Sequence, residues 1–354
     1  MRFKEITVRG TAYERGLIYG KLCQEEIRQT MKGYETLFLD YKGVSWEEAR
    51  KISEYYISLV RDFEPDYVEE MRGIADGANV DFHDIATINC RTEIMYADHS
   101  KVCPNACTSL TLVAPATEGG HVIAAQNWDY SMLFSDCVVI VHVYQDDKPN
   151  FVMVTEGAGM ICGPGVNDRG ISVMLNALYT QNPIKGIPFS VRFRAMLEAE
   201  TLSDAYVMGG HAPYSVGNLV ATHKDGVAIE FEMDGENIEP IIPEDGVLVH
   251  TNHFIGKRMY YLTEVNHMGS SYIRLQRIRQ LVKERYGKIT VDDVKRFLSD
   301  HAGYPNALCD HEDLRYSVGH RDATIFSIIA DLTDNRIYVA PGNPCETEFE
   351  EIFI

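Results

Sequence analysis

At 354 residues the chain is long enough to bury one large core or two ordinary ones, and its apolar fraction of 45% and charged fraction of 24% are those of a globular protein. With 52 acidic against 33 basic residues the net charge is −19, which excludes the basic face that nucleic acids and anionic membranes require. No apolar run is long enough to span a bilayer, and Met1–Val8 has no apolar signal core, so the expected setting is cytoplasmic, with no membrane partner.

Residues 1–9 alternate as a short strand. From Thr11 to about residue 40, Tyr13, Leu17, Leu22, Ile27, Met31 and Leu37 recur at roughly helical spacing. Trp46–Phe63 is a second helix with Ser45 as its N-cap, and Pro65 opens a third that Gly77 closes. Asp81 caps a fourth, running to Met95, and Pro104 then breaks the helical run. Beyond it the period shifts to that of strands, at 107–113, 121–126, 138–144, 151–156, 171–176, 218–223, 226–232 and 247–250. Helices are expected at about 189–200, 203–209, 270–286 and, capped by Thr290, 291–300. A hairpin across Asp334-Asn335 closes the chain, with strands at 323–330 and 336–340. Antiparallel strands with helices gathered in separate blocks read as α+β.

The first hairpin after the helical region carries the candidate chemistry. Cys107 opens a run in which Thr108, Leu110 and Leu112 alternate with Ser109, Thr111 and Val113, the pattern of a half-buried strand. Glu118-Gly119-Gly120 turns the chain, and the return strand ends in Gln126-Asn127-Trp128-Asp129. The hairpin therefore delivers a carboxylate beside a thiol, a candidate nucleophile with an orienting partner. Cys103 is the rival nucleophile, but Pro104 follows it and no strand starts there. The eight cysteines are otherwise scattered, without the density of a disulfide scaffold or a Cys-x-x-Cys pair, so neither disulfides nor a metal is expected. His250 and His253 have His-x-x-His spacing but no accompanying zincin glutamate. Gly157–Gly165 is glycine-rich without the Gly-Lys-Ser/Thr of a phosphate loop, so it reads as a tight turn near the pocket, and no nucleotide cofactor is expected.

Cys107-Thr108, Gln126-Asn127-Trp128-Asp129, His250-Thr251-Asn252-His253 and Arg321-Asp322-Ala323-Thr324-Ile325-Phe326 together resemble the isopenicillin N acyltransferase family of N-terminal-nucleophile hydrolases. Met71–Ala78 and Asn89–Glu93 resemble upstream segments of the same family, in the same order. The resemblance implies a four-layer αββα sandwich. It also implies self-cleavage between Ala106 and Cys107, leaving a mainly helical part, 1–106, and a catalytic part, 107–354, in one folded unit; Ala106 stands where the family most often has glycine. The freed α-amine, with an unperturbed pKa of about 7.7–8.0, then serves as the base that a thiol with a pKa near ~8.5 needs.

By the same resemblance Asp129 holds the α-ammonium, Asn252 donates to the oxyanion, and Arg321 pairs with a carboxylate or polarises the site. Asn127, Trp128 and Asn176 are candidates for substrate contact, with Asn167 near them. The expected partners are a small amide, peptide or acyl-thioester substrate and the two fragments themselves, with homo-oligomers left open. Two alternatives remain at this level: a papain-like cysteine–histidine protease, and an uncleaved, non-catalytic binding protein on the same fold.

Overall fold

The computed structural model describes residues 2–96, 106–180, 182–261, 269–317 and 320–353. Cys103 and the helix break expected over 101–105 lie outside them.

The N-terminal block runs β1 (Lys4–Arg9), α1 (Ala12–Leu22), α2 (Gln24–Leu37), α3 (Trp46–Phe63), α4 (Pro65–Ala78), α5 (Phe82–Asn89) and α6 (Arg91–Tyr96). Thr11 and Ser45 each form a reciprocal capping box, with Glu14 and Glu48 three residues on, and these fix the starts of α1 and α3. The helix expected from Thr11 to residue 40 is two helices, interrupted at Cys23, where φ is −121°. Cys90 interrupts the fourth in the same way, separating α5 from α6. Gly77 does not close α4; Asn79 does, in the left-handed conformation at φ 55°.

Gly77 has another use. Gly16 and Gly20 on α1 face Gly73 and Gly77 on α4 so closely that the backbones touch. A Cβ built on Gly16 would lie 2.0 Å from the Glu70 carbonyl oxygen, and one on Gly73 would lie 2.1 Å from that of Tyr13. Four small residues at i, i+4 spacing on two helices thus set the interaxial distance.

Two sheets follow. The first has eight strands in the order β1, β4 (Val139–Tyr144), β5 (Phe151–Thr155), β6 (Gly165–Asn167), β7 (Ile171–Asn176), β8 (Val216–His223), β9 (Val227–Asp234), β10 (Ile238–Ile241). Only β1 with β4 is parallel; its other pairs are antiparallel. The second has six: β11 (Val247–His250), β2 (Ala106–Leu112), β3 (Ile123–Ser131), β12 (Asp322–Asp331), β13 (Arg336–Pro341), β14 (Glu350–Ile352). The short strands β6, β10 and β14 are missed by periodicity, which needs more residues than they offer.

Helices α7 (Phe189–Leu197) and α8 (Leu202–Gly209), with the N-terminal block, join the core of the first sheet. On the second sheet, Leu110, Leu112, Ile123 and Ala125 pack with Leu275, Ile278 and Val282 of α9 (Gly269–Arg285) and with Phe297 and Leu298 of α10 (Val291–Leu298). The result is a four-layer αββα sandwich. No helix among the described residues is long and apolar enough to cross a membrane.

The inner faces of the two sheets meet through polar side chains. Gln126 donates to the Leu175 carbonyl at 2.7 Å and accepts from the Leu175 amide at 3.1 Å, while Ser109 reaches Asn176 and Thr111 reaches Thr222. Strand β2 is consequently buried on both faces, not on one. Alternation of Leu with Ser and Thr marks a polar inner face here, because a second sheet satisfies those hydroxyls where water was expected to.

Gly16→Ala tests the helix contact. Alanine gains about 1 kcal/mol of helix propensity over glycine, whereas forcing a methyl into occupied space costs about 1–3 kcal/mol, and a 2.0 Å contact with backbone sits at the upper end. We expect a lower urea midpoint for this variant; an unchanged or higher midpoint would show that the helices do not meet there.

Candidate active site

Cys107 is the second residue of β2, paired across the sheet with Trp128, while Ala106 pairs with Asp129. Its backbone is gripped at both its amide and its carbonyl. The Cys107 amide donates to Asn252 Oδ1 at 2.8 Å, just beyond the end of β11. Arg274 of α9 donates through Nη1 to the Cys107 carbonyl at 2.6 Å and to Thr108 Oγ1 at 3.0 Å, and through Nη2 to Asn252 Oδ1 at 2.8 Å. Asn252 Nδ2 in turn donates to the Ala177 carbonyl at 3.0 Å, tying the end of β7 to the same point. Arg274 and Asn252 are fully buried.

Strand alternation then sorts the return strand. Trp128 and Tyr130 turn inwards with Cys107 and line a small pocket with Arg91, Thr92, Met95, Leu175, Ala177, Leu178, Phe189 and Val216. The intervening Asn127 and Asp129 turn the other way. Asn127 Nδ2 donates to the Leu298 and Leu308 carbonyls at 2.8 and 2.7 Å, and its oxygen accepts from Ser327. Asn127 is thus removed from the substrate-contact set and becomes an anchor for α10 and the loop after it. Trp128 stays: it stacks on Phe326 at 5.4 Å, and its indole N–H is buried without a partner among the described residues. Asn176 accepts from Ser109 at 2.5 Å, and its Nδ2 likewise lacks a partner there. Asn167 is an anchor, donating to the Leu197 and Ala199 carbonyls.

Asp129 accepts from Thr324 Oγ1 at 2.5 Å, and its second oxygen is buried without a partner among the described residues. Burial raises its pKa, against the opposing pull of Arg274 and of the Thr324 hydroxyl. Asp310 and Asp322 are raised too, by burial first and then by Asp129. The Cys107 thiol is pushed up to about 12, mainly by burial and further by Asp129, while the Asp129 amide, Arg274 and Gln126 draw it back. In the unbroken chain the sulfur is therefore a protonated thiol at neutral pH. Among the described residues, no histidine is among the main groups that act on it.

The two histidines beside Asn252 diverge. His250 Nε2 faces Glu232 at 2.8 Å and Glu230 at 3.3 Å, and its Nδ1 faces the Thr251 carbonyl at 2.6 Å. Both nitrogens meet acceptors, which requires the doubly protonated ring. Burial disfavours that cation, but the two glutamates outweigh it and raise the His250 pKa. His253 instead meets Ser271 Oγ at 2.7 Å and stacks on Tyr272, and burial lowers its pKa to about 4.

Arg321 is not in the pocket. Its guanidinium binds the Tyr316 carbonyl and Glu312, partly exposed, while its own carbonyl accepts from Met132. The arginine that touches Cys107 is Arg274, which sequence reasoning missed. A signal existed: Arg274 lies on the stripe of α9 that Ile278 and Val282 continue, and an arginine on an apolar stripe must find a buried partner. Arg91 was also passed over, although it is buried on the pocket wall and paired to Glu156 at 2.5 Å.

The sequence model of the acyl-coenzyme A:6-aminopenicillanic acid acyl-transferase family matches residues 116–346, beginning downstream of Cys107. The chain is similar to the acyl-coenzyme A:6-aminopenicillanic-acid-acyltransferase 40 kDa form of Emericella nidulans, with 26% identity over 350 residues, covering 97% of this chain and 94% of that protein. Among solved structures it is similar to a Caenorhabditis elegans N-acylethanolamine-hydrolyzing acid amidase ortholog, at 18% identity and a TM-score of 0.47, over 64% of this chain and 93% of that one. It is also similar to penicillin V acylase from Agrobacterium tumefaciens, at 11% identity and a TM-score of 0.46, over 66% of this chain and 83% of that one.

The two arginines are separable by measurement. Arg274→Met leaves the buried Asp129 and Asn252 without their cation and is expected to lower unfolding free energy by about 3–5 kcal/mol. Arg321→Met breaks a partly exposed pair and is expected to cost under about 1 kcal/mol. Urea titrations that ranked the two in the opposite order would return Arg321 to the site.

Proposed function

The chain belongs to the acyl-coenzyme A:6-aminopenicillanic acid acyl-transferase family, and from that premise we propose that it is a self-processing cysteine amidohydrolase or acyltransferase whose nucleophile is Cys107. Acyl transfer or amide hydrolysis follows from the family in general terms; the identity of the nucleophile and its activation are the reading argued here. The observation that carries it is the way Cys107 is held. Asn252 and Arg274 grip its main-chain nitrogen and carbonyl, and no histidine among the described residues is a main influence on its sulfur. A papain-like enzyme needs the reverse, a base on the sulfur and nothing particular on the nitrogen.

In the first step the Cys107 sulfur attacks the Ala106 carbonyl carbon. A carbon–sulfur bond forms, the peptide carbon–nitrogen bond breaks, and the thiol proton passes to nitrogen. Water then hydrolyses the thioester, leaving a carboxylate on Ala106 and a free thiol and α-amine on Cys107. That amine inherits the position of the present amide, within reach of Asn252 Oδ1, and Asp129, with one oxygen still unpartnered, is the carboxylate to balance its charge. In the processed enzyme the amine takes the thiol proton as the sulfur attacks the substrate carbonyl, then returns it to the leaving amine.

The donors for the tetrahedral oxyanion are Asn176 Nδ2, beside Ser109 on the inner face that Cys107 shares, and the second hydrogen of Asn252 Nδ2, whose first is given to the Ala177 carbonyl. Met95, Leu175, Leu178, Phe189 and Val216 make the pocket apolar, which supports a small N-acyl amide or peptide as substrate, with Trp128 Nε1 as a polar contact. The acyl-S-enzyme then passes its acyl group to water or to an amine, according to how well the pocket excludes water. Residues 1–106 and 107–354 remain one unit after scission, because β1 stays paired with β4 and α1–α6 stay in the core of the first sheet.

Denaturing electrophoresis with intact-mass measurement tests this. Wild-type protein is expected to give two fragments, one ending at Ala106 and one beginning at Cys107, with amidase activity rising in step with their appearance. Cys107→Ala is expected to remain one inactive chain. An intact wild-type chain that turns over substrate overturns the proposal in favour of a histidine-assisted protease; an intact and inactive one leaves a binding protein on the same fold.

A further inference from the structure

We propose that His301, Cys309, His311 and Cys345 form a closed, structural zinc site, on the far side of the second sheet from the pocket. The four residues come from two stretches: His301, Cys309 and His311 from the loop between α10 and β12, and Cys345 from the turn after β13. Their ligating atoms all lie within 4.8 Å of one another.

Four of the six separations match those of a tetrahedron, and the two from His301 to the sulfurs lie within 4.8 Å. Zn–S near 2.3 Å and Zn–N near 2.0–2.1 Å require edges of about 3.8 Å between sulfurs, about 3.6 Å between sulfur and nitrogen and about 3.3 Å between nitrogens. Cys309 Sγ and Cys345 Sγ are 3.5 Å apart, His311 Nε2 is 3.5 Å from the first and 3.4 Å from the second, and His301 Nε2 is 3.1 Å from His311 Nε2. These four edges depart from the ideal by no more than about 0.3 Å. A single hydrogen bond or a disulfide would use only two of the four groups, whereas a metal ion uses all of them.

Two thiolates with two imidazoles in tetrahedral array select zinc among the common divalent ions, and four protein ligands leave no open position, so the site is structural and takes no part in acyl transfer. The supporting shell fits. Asn343 Nδ2 donates to Cys309 Sγ at 3.4 Å and to the Asp310 carbonyl at 2.6 Å, as donors around zinc thiolates do. The Cys309 amide donates to the Asp300 carbonyl at 3.0 Å, holding the loop closed.

The site's position gives it a purpose. Asp310, between two of the ligands, donates through its amide to Thr324 Oγ1 at 3.0 Å, and Thr324 donates to Asp129. Leu308, just before the first sulfur, holds Asn127. Zinc would therefore fix the loop that backs the carboxylate at the nucleophile. Neither the density of cysteines nor a Cys-x-x-Cys pair announces it, which is why the sequence gives no expectation of a metal.

The test uses the full chain, purified under reducing conditions and equilibrated with Zn²⁺ or Co²⁺ alone. Wild type and Cys107→Ala are both expected to hold about one equivalent of metal per chain, and Co²⁺ to give the strong visible bands and sulfur-to-cobalt charge transfer of a tetrahedral thiolate site. Cys309→Ser and Cys345→Ser are expected to lose the charge-transfer band. His301→Ala, at an exposed position that does not threaten folding, is expected to weaken binding at least about tenfold. Retention in Cys107→Ala separates this result from the fate of the self-processing proposal. A folded wild-type chain that binds neither ion, a cobalt spectrum unchanged by Cys309→Ser, or a mass two hydrogens lower that marks a Cys309–Cys345 disulfide would overturn the assignment.

Discussion

The structure turns on one buried cation. Arg274 joins the carbonyl of Cys107, the hydroxyl of Thr108 and the side-chain oxygen of Asn252, so one guanidinium ties β2, the end of β11 and α9 together at the candidate nucleophile. Burying a guanidinium is costly unless its donors are met and its charge is opposed. The opposition comes from Asp129 and Asp310, both of which favour the charged form of Arg274 against the effect of its burial. Burial raises the pKa of Asp310 and Asp322, and Asp129 raises both further, which disfavours ionisation of all three together. Release of an α-ammonium at Cys107 would add a second cation to that balance and favour ionisation of Asp129. The charge state of the site and the state of the peptide bond are linked through that one carboxylate.

The frame that holds this cluster is unusual in where it places polar groups. Both sheets carry hydroxyls and amides on the faces that meet, and Gln126 spans the gap with a two-way hydrogen bond to the Leu175 backbone. Such pairs fix the relative position of the sheets more sharply than apolar contact would, since a slip leaves buried donors unmet. The pocket lies in the same gap, where apolar side chains take over from the polar pairs. The placement of Cys107 is therefore a property of the whole inner layer.

How much of this the sequence discloses depends on which physical rule each residue obeys. Local rules are legible. The capping boxes at Thr11, Ser45, Thr201 and Thr290, the strand period of β3 and β12, and the hairpin at Asn335, with its left-handed φ of 54°, all follow from near neighbours in the chain. The hairpin register that sets Cys107 against Trp128 and Ala106 against Asp129 follows in the same way. What faces what across layers is not local. Asn127 and Trp128 are adjacent, yet alternation sends one to α10 and the other to the pocket, and only the second sheet decides which. Arg321 and Arg274 are equally plausible in composition, but burial of the stripe on α9 places the second one inside. The four candidate zinc ligands are spread over residues 301–345, and a turn after β13 is what brings Cys345 to Cys309.

The same non-locality would constrain when the proposed cleavage can happen. The groups that hold Cys107 lie 145 and 167 residues further along the chain, at Asn252 and Arg274. Until β11 is paired with β2 and α9 is seated on the second sheet, the Ala106–Cys107 bond has neither partner, and its thiol is an ordinary one. Burial then raises the thiol's pKa, which works against attack. Folding must therefore supply in geometry more than it removes in thiolate, and alignment of a nucleophile with a neighbouring carbonyl can supply several powers of ten in effective concentration. Scission that waited for the fold would find its two products already joined, by β1 in the first sheet. A chain cut before that stage would leave β4 with an open edge; one cut after it loses a single covalent bond and gains a base.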